Sequence, residues 1–67
     1  MLIDTKGLSC PQPLMLVYPH LSGSAPIDVL VDNTTSLENV TRAARKNGWR
    51  VSAIEEGGDV VRLELRK

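Results

Sequence analysis

The amino-acid sequence predicts a two-layer α/β (α+β) sandwich of order β-α-β-α-β-β, with two helices packed on one face of a four-stranded mixed sheet. Three observations lead there. Two segments carry apolar residues at helical spacing, two late segments alternate apolar with charged or polar residues as half-wet strands do, and clusters of Gly, Ser, Pro and Asn punctuate the chain. The alternation of the last hairpin needs solvent on one side of the sheet, so both crossover helices belong on the other.

Leu2 and Ile3 ahead of Asp4 read as a short first strand, and Lys6, Gly7, Leu8 and Ser9 as the loop that leaves it. Pro11 suits a first helical position, where its missing N–H would be unpaired anyway. Leu14, Val17, Tyr18 and Leu21 then fall at i, i+3, i+4 and i+7, one face of a helix. Pro19 removes a backbone bond and crowds the preceding turn, so this helix kinks or ends near Tyr18. After a loop from Ser22 to Pro26, residues 27–31 are apolar except for Asp28, the pattern of a strand covered mainly on one face, and Asp32 and Asn33 end it by turn chemistry.

Thr35 followed three residues later by Glu38 reads as a capping box that starts a second helix. Leu37, Val40 and Ala44 form its apolar stripe, Arg42, Arg45 and Lys46 lie off that stripe, and Asn47-Gly48 supplies a left-handed stop. Trp49, Val51 and Ala53 alternate with Arg50 and Ser52. Val61, Leu63 and Leu65 alternate with Arg62, Glu64 and Arg66, and Gly57 and Gly58 turn the chain between these two strands. Trp49 and Tyr18 read as core or rim aromatics, Tyr18 being placed to border a docking surface.

At 67 residues the chain is expected to be a single domain spanning 1–67, with a core near the lower limit for independent folding. Hydrophobic residues at 42% exclude disorder. No apolar run approaches the length of a membrane span, and the Met1 end lacks both a basic start and a long apolar stretch. Neither anchor nor secretion signal is expected, and the cytoplasm is the expected location. Eight basic and eight acidic residues cancel, which argues against a dedicated nucleic-acid binder, although residues 34–67 are the more cationic half. One Cys and one His exclude an intrachain disulfide and fall short of a four-ligand zinc site; no metal and no cofactor are expected.

The chemistry is sought where the first strand meets the first helix, at Asp4, Gly7, Cys10, Pro11, Gln12 and Pro13. Cys10 is the one thiol, and a cysteine at a helix N-terminus sits by the positive end of the macrodipole, which lowers its pKa and raises its thiolate fraction. Pro11 and Pro13 stiffen the site and cannot donate, leaving the Gln12 and Leu14 amides as first-turn donors. Asp4 either bonds loop amides near Cys10 or merely ends the strand. His20 would stand about 15 Å along a continuous helix from Cys10, too far to act as its base. Arg42, Arg45, Lys46 and Arg50 read as a solvated face first, and as a surface for an acidic partner or an RNA backbone second.

The run Asp4-Thr5-Lys6-Gly7-Leu8-Ser9-Cys10-Pro11-Gln12-Pro13 resembles the N-terminal signature of the TusA/SirA/YedF family of small sulfur-carrier proteins, with Cys-Pro-x-Pro as its specific core. Leu30-Val31-Asp32-Asn33, then Glu38-Asn39-Val40 and the Gly48 stop, are similar to the YedF-type branch, some members of which are linked to selenium metabolism. The resemblance implies the same β-α-β-α-β-β sandwich. It also implies that Cys10 takes a sulfane sulfur from a cysteine desulfurase or other donor protein, holds it as Cys-S-SH, and hands it to a downstream acceptor protein. Asp4 would support that loop, with Gly7, Pro11, Gln12 and Pro13 shaping it. Such a sulfurtransferase is a stoichiometric relay rather than an enzyme turning over a small substrate. A monomer without membrane or direct nucleic-acid contact is expected.

The first helix departs from many relatives, which place Lys or Arg shortly after the second proline; here Leu14-Met15-Leu16-Val17-Tyr18-Pro19-His20 carries no formal positive charge. YedF-type proteins also often continue into a second domain, so this chain is a whole small protein or an N-terminal part. Two other functions stay open from the residues. One is a non-catalytic protein-binding or regulatory module, linked to selenium metabolism, that uses the Cys10 face for contacts. The other is a thiol redox element, which would need a resolving thiol from another molecule.

Overall fold

Aliphatic residues at alternate positions give each strand one face to bury, and that face sets the architecture. The computed structural model describes residues 1–9, 12–23 and 25–67. Strand β1 (Leu2–Asp4) is followed by helix α1 (Gln12–Val17), which runs into a 3₁₀ turn (Tyr18–His20). Then come β2 (Ile27–Val31), α2 (Thr34–Lys46), β3 (Arg50–Gly57) and β4 (Val60–Arg66). The sheet order is β1-β2-β4-β3, with β1 parallel to β2 and the other two pairings antiparallel. This is the mixed four-stranded sheet under two helices that the sequence predicts.

Register puts Ile3, Val29 and Leu63 in one row across the sheet. Val29 and Leu63, with Ile27, Val31 and Leu65, join Val17 and Leu21 from the first helical segment and Val40 and Ala44 from α2 in the buried core. The opposite face is wet. Arg66 reaches Asp28 at 3.0 Å, and Arg62 and Arg66 both approach Glu64, so charge pairs ladder across β2 and β4.

Four expectations need correction. The N-cap of α2 is Asn33 rather than the Thr35/Glu38 capping box: Asn33 is extended (φ −152°, ψ 156°) and its side chain accepts the Ser36 amide at 2.8 Å. Asn is as good a cap as Thr, and β2 ends early enough for the helix to begin at Thr34. Tyr18 is 59% exposed although Val17 and Leu21 are buried. Pro19 cannot donate an α-helical bond, the chain tightens to a 3₁₀ turn closed by Leu21 N–H to the Tyr18 carbonyl, and Tyr18 stands at the rim, lining a depression with Leu14, Arg42 and Lys46 instead of entering the core. Ala53 is exposed rather than inward-covered, because β3 is an edge strand whose far half lies beyond the helices. Trp49 precedes β3 instead of opening it.

Trp49 acts instead at the end of α2. Its amide bonds the Ala44 carbonyl (3.0 Å) and the Gly48 amide bonds that of Arg45 (3.1 Å), a Schellman stop with Gly48 at φ +86°. The ring is buried, and its Nε1 donates to the Leu21 carbonyl at 2.9 Å, tying the end of one helical segment to the end of the other.

Candidate functional site

Parallel pairing of β1 with β2 sets their C-terminal ends side by side, and the loop that leads toward Cys10 starts there. Cys10 and Pro11 themselves lie outside the described residues. Thr5 is fully buried, and both its amide (3.0 Å) and its hydroxyl donate to the Leu30 carbonyl. The Leu8 amide returns to the Thr5 carbonyl at 3.2 Å, closing a turn in which Gly7 has φ +81°. Glycine is needed at this position, since side chains rarely tolerate that backbone.

Asp32, at the end of β2, holds the turn: its Oδ2 accepts the Gly7 amide at 2.8 Å, and its Oδ1 accepts the Asn33 side-chain amide at 3.1 Å. These bonds, the Gly7 amide foremost, pull the Asp32 carboxyl below its ordinary pKa against a small opposing desolvation. Asp4 bonds locally. It accepts the Lys6 amide at 3.0 Å and faces the Lys6 ammonium at 3.9 Å, so it both ends β1 and braces the loop's first residue.

On the far side of residues 10 and 11, the Gln12 amide donates to the Ser9 carbonyl at 2.9 Å. It is therefore already engaged, which removes one of the two first-turn donors expected to serve the thiol. Pro13 is buried, anchoring the helix start, while Gln12 is exposed. Leu8, Gln12, Met15 and Leu16 line a shallow apolar depression of about 250 Å³, with Met15 65% and Leu16 45% exposed. Of the expected residues, Asp4 and Gly7 thus lie at the end of β1 and in the turn that follows it, while Gln12 and Pro13 open α1. The site adds Asp32 and Thr5, which sequence reading missed; a polar residue ending a parallel neighbour strand was the available signal for Asp32. His20 lies on the 3₁₀ turn, in a depression shared with Met1 and Pro19.

Among the described residues no group of three His, Cys, Asp or Glu side chains could hold a metal ion, and no helix is long and apolar enough to cross a membrane. Two helices packed on an open four-stranded mixed sheet define a class of small α+β domains, the SirA-like fold. A family model described as sulfurtransferase TusA matches residues 1–67, and the chain belongs to that family. It is 28% identical over 68 residues to YedF of Escherichia coli (strain K12), whose name gives sulfur carrier protein as a provisional description. That match covers 97% of this chain and 88% of the relative, as does one to YedF of Salmonella typhimurium (strain LT2). The crystal structure of a SirA-like protein from Desulfitobacterium hafniense superposes with a TM-score of 0.87 at 26% identity, covering 96% of this chain and 92% of that one.

Proposed function

We propose that this chain is a cytoplasmic sulfur relay, a single domain over residues 1–67 in which Cys10 is the persulfide site. The Cys10 thiolate attacks the outer sulfur of a donor persulfide, R–S–SH. The donor S–S bond breaks as the new one forms, the donor leaves as R–S⁻, and the protein holds Cys-S-SH for an acceptor thiol or other nucleophile. Electrons balance without an oxidant, and the step needs an accessible thiolate rather than a metal or a deep pocket. A reducing compartment keeps that thiol free.

The observation that carries this reading is the setting of the lone cysteine. Its flanking residues Ser9 and Gln12 are both exposed and are joined by a 2.9 Å backbone bond, at the end of a turn pinned to β2. Asp4, Gly7 and Asp32 hold the incoming loop, and buried Pro13 holds the outgoing helix, so partners meet a fixed rim. Intact mass spectrometry after incubation with a cysteine desulfurase and free cysteine tests it. Wild type should gain one sulfur mass that reductant removes, and Cys10→Ser should gain none while keeping its fold. A wild type that stays unmodified by desulfurase and by inorganic polysulfide, with its thiol alkylatable, would leave a binding module as the better account.

A further inference from the structure

Charge is distributed unevenly over this neutral chain. Every ion pair among the described residues lies on the open sheet face or within the Asp4–Lys6 loop, and none involves Arg42, Arg45 or Lys46 of α2. Glu38 is the one carboxylate on that helix, so its surface carries three cations against one acid. Helix α1 contributes no charge to offset them. Arg42 and Lys46, one helical turn apart and both exposed, line a groove of about 230 Å³ between α1 and α2, together with Leu14, Tyr18 and Ala43. Elsewhere on α1, Met15 and Leu16 are exposed as well.

A helix surface with three cations against the single acid Glu38 attracts an acidic surface, and half-buried Leu14 with exposed Tyr18 beside Arg42 and Lys46 favours a protein over a nucleic acid, whose affinity would rest on phosphate neutralisation. The groove also adjoins the helix that begins at the proposed persulfide site. We infer that the α1–α2 groove docks the acidic protein that donates sulfur to this carrier. In it Arg42 and Lys46 meet partner carboxylates, and Leu14 and Tyr18 receive an apolar side chain. The inference rests on the persulfide-relay reading. It also locates on α2 the positive charge that α1 lacks.

The test compares sulfur loading of Cys10 from a cysteine desulfurase with loading from inorganic polysulfide, which needs no docking. Arg42→Glu/Lys46→Glu should slow desulfurase loading at least about tenfold at low ionic strength, with the difference shrinking at high salt, and leave polysulfide loading unchanged. Arg42→Gln/Lys46→Gln should fall between, and circular dichroism checks that each variant is folded. Arg45→Glu/Arg50→Glu makes the same charge change outside the groove and should slow loading less. Equal rates for wild type and the groove variant, equal slowing by the control pair, or a desulfurase that fails to load a polysulfide-competent wild type would each overturn the docking surface and leave the relay standing. Failure of both donors would overturn the relay, and the docking surface with it. Wild-type binding of bulk tRNA, or a wild-type dimer, abolished by the groove substitutions would assign the groove to RNA or to a second copy and overturn the proposal.

Discussion

The two helices cover the same sheet face but are held by different means. Helix α2 has 13 residues, and its terminators come from its own neighbourhood: Asn33 caps its first turn, and Gly48 and Trp49 close its last. Helix α1 has six residues, no acidic first turn and no basic last turn, and it gives way to a 3₁₀ turn at Tyr18. A helix that short is unstable alone, because nucleation is costly and few bonds follow it. It persists through Pro13 and Val17 in the interior and, just beyond, through Leu21 and its bond from Trp49. The segment nearest the proposed chemistry is therefore the one that depends on the rest of the fold.

The sharpest way to break this contrast is at Trp49, which serves both helices. Trp49→Ala keeps the backbone bonds of the Schellman stop but removes a buried ring and the tie to Leu21, and should cost about 3–5 kcal/mol, enough to unfold a domain of this size in mild urea. Trp49→Phe keeps an aromatic ring and loses the indole bond. It should cost about 1–3 kcal/mol from the Leu21 carbonyl left unpaired, and hydrogen exchange should show the first helical segment loosening before α2.

Next in size is the cap. Asn33→Ala should destabilise by about 1 kcal/mol in urea titrations and Asn33→Asp should not, whereas Thr35→Ala should stay within about 0.5 kcal/mol. A larger loss at Thr35 than at Asn33 would restore the capping box.

The smallest effect concerns pH and the loop. The Asp32 carboxyl is held below its ordinary pKa, so its grip on Gly7 contributes fully above the usual carboxylate range and is lost as pH falls through that lowered value. An NMR titration should place the Asp32 midpoint below that of Asp32 in an unfolded peptide, with the Gly7 amide shift following it. A midpoint at or above the peptide value would refute the anchoring role. Asp32→Asn should abolish the coupled Gly7 step while leaving the Trp49 environment unchanged.

Legibility in the sequence follows the range of the interactions. Short apolar runs and strand alternation located the strands, apart from Trp49 at the start of β3, while proline chemistry marked the early end of α1 and Asn47-Gly48 the stop of α2, because each depends on neighbours within a turn or on strand alternation. The Cys-Pro-x-Pro run and the Asp4 to Pro13 segment marked the candidate site for the same local reason. The choice between Asn33 and Thr35 was not legible, since both residue types cap and the decision lies with where β2 stops pairing at Val31. Nor was the exposure of Ala53, whose alternation is correct but whose strand the tertiary arrangement leaves at an edge.

Local residue order, then, determined the element sequence and the sandwich class, and marked position 10 as the candidate for the chemistry. Tertiary structure alone decided that Asp32 holds Gly7, a partner 25 residues away in the chain, and that Thr5 is sealed against Leu30. It also decided that Trp49 joins the ends of the two helical segments and that Arg42 and Lys46 stand beside Leu14 and Tyr18. The physical reason is distance along the chain. Helical and strand preferences are set within a few residues, whereas these pairings exist only once β1 lies parallel to β2 and both helices share one apolar face.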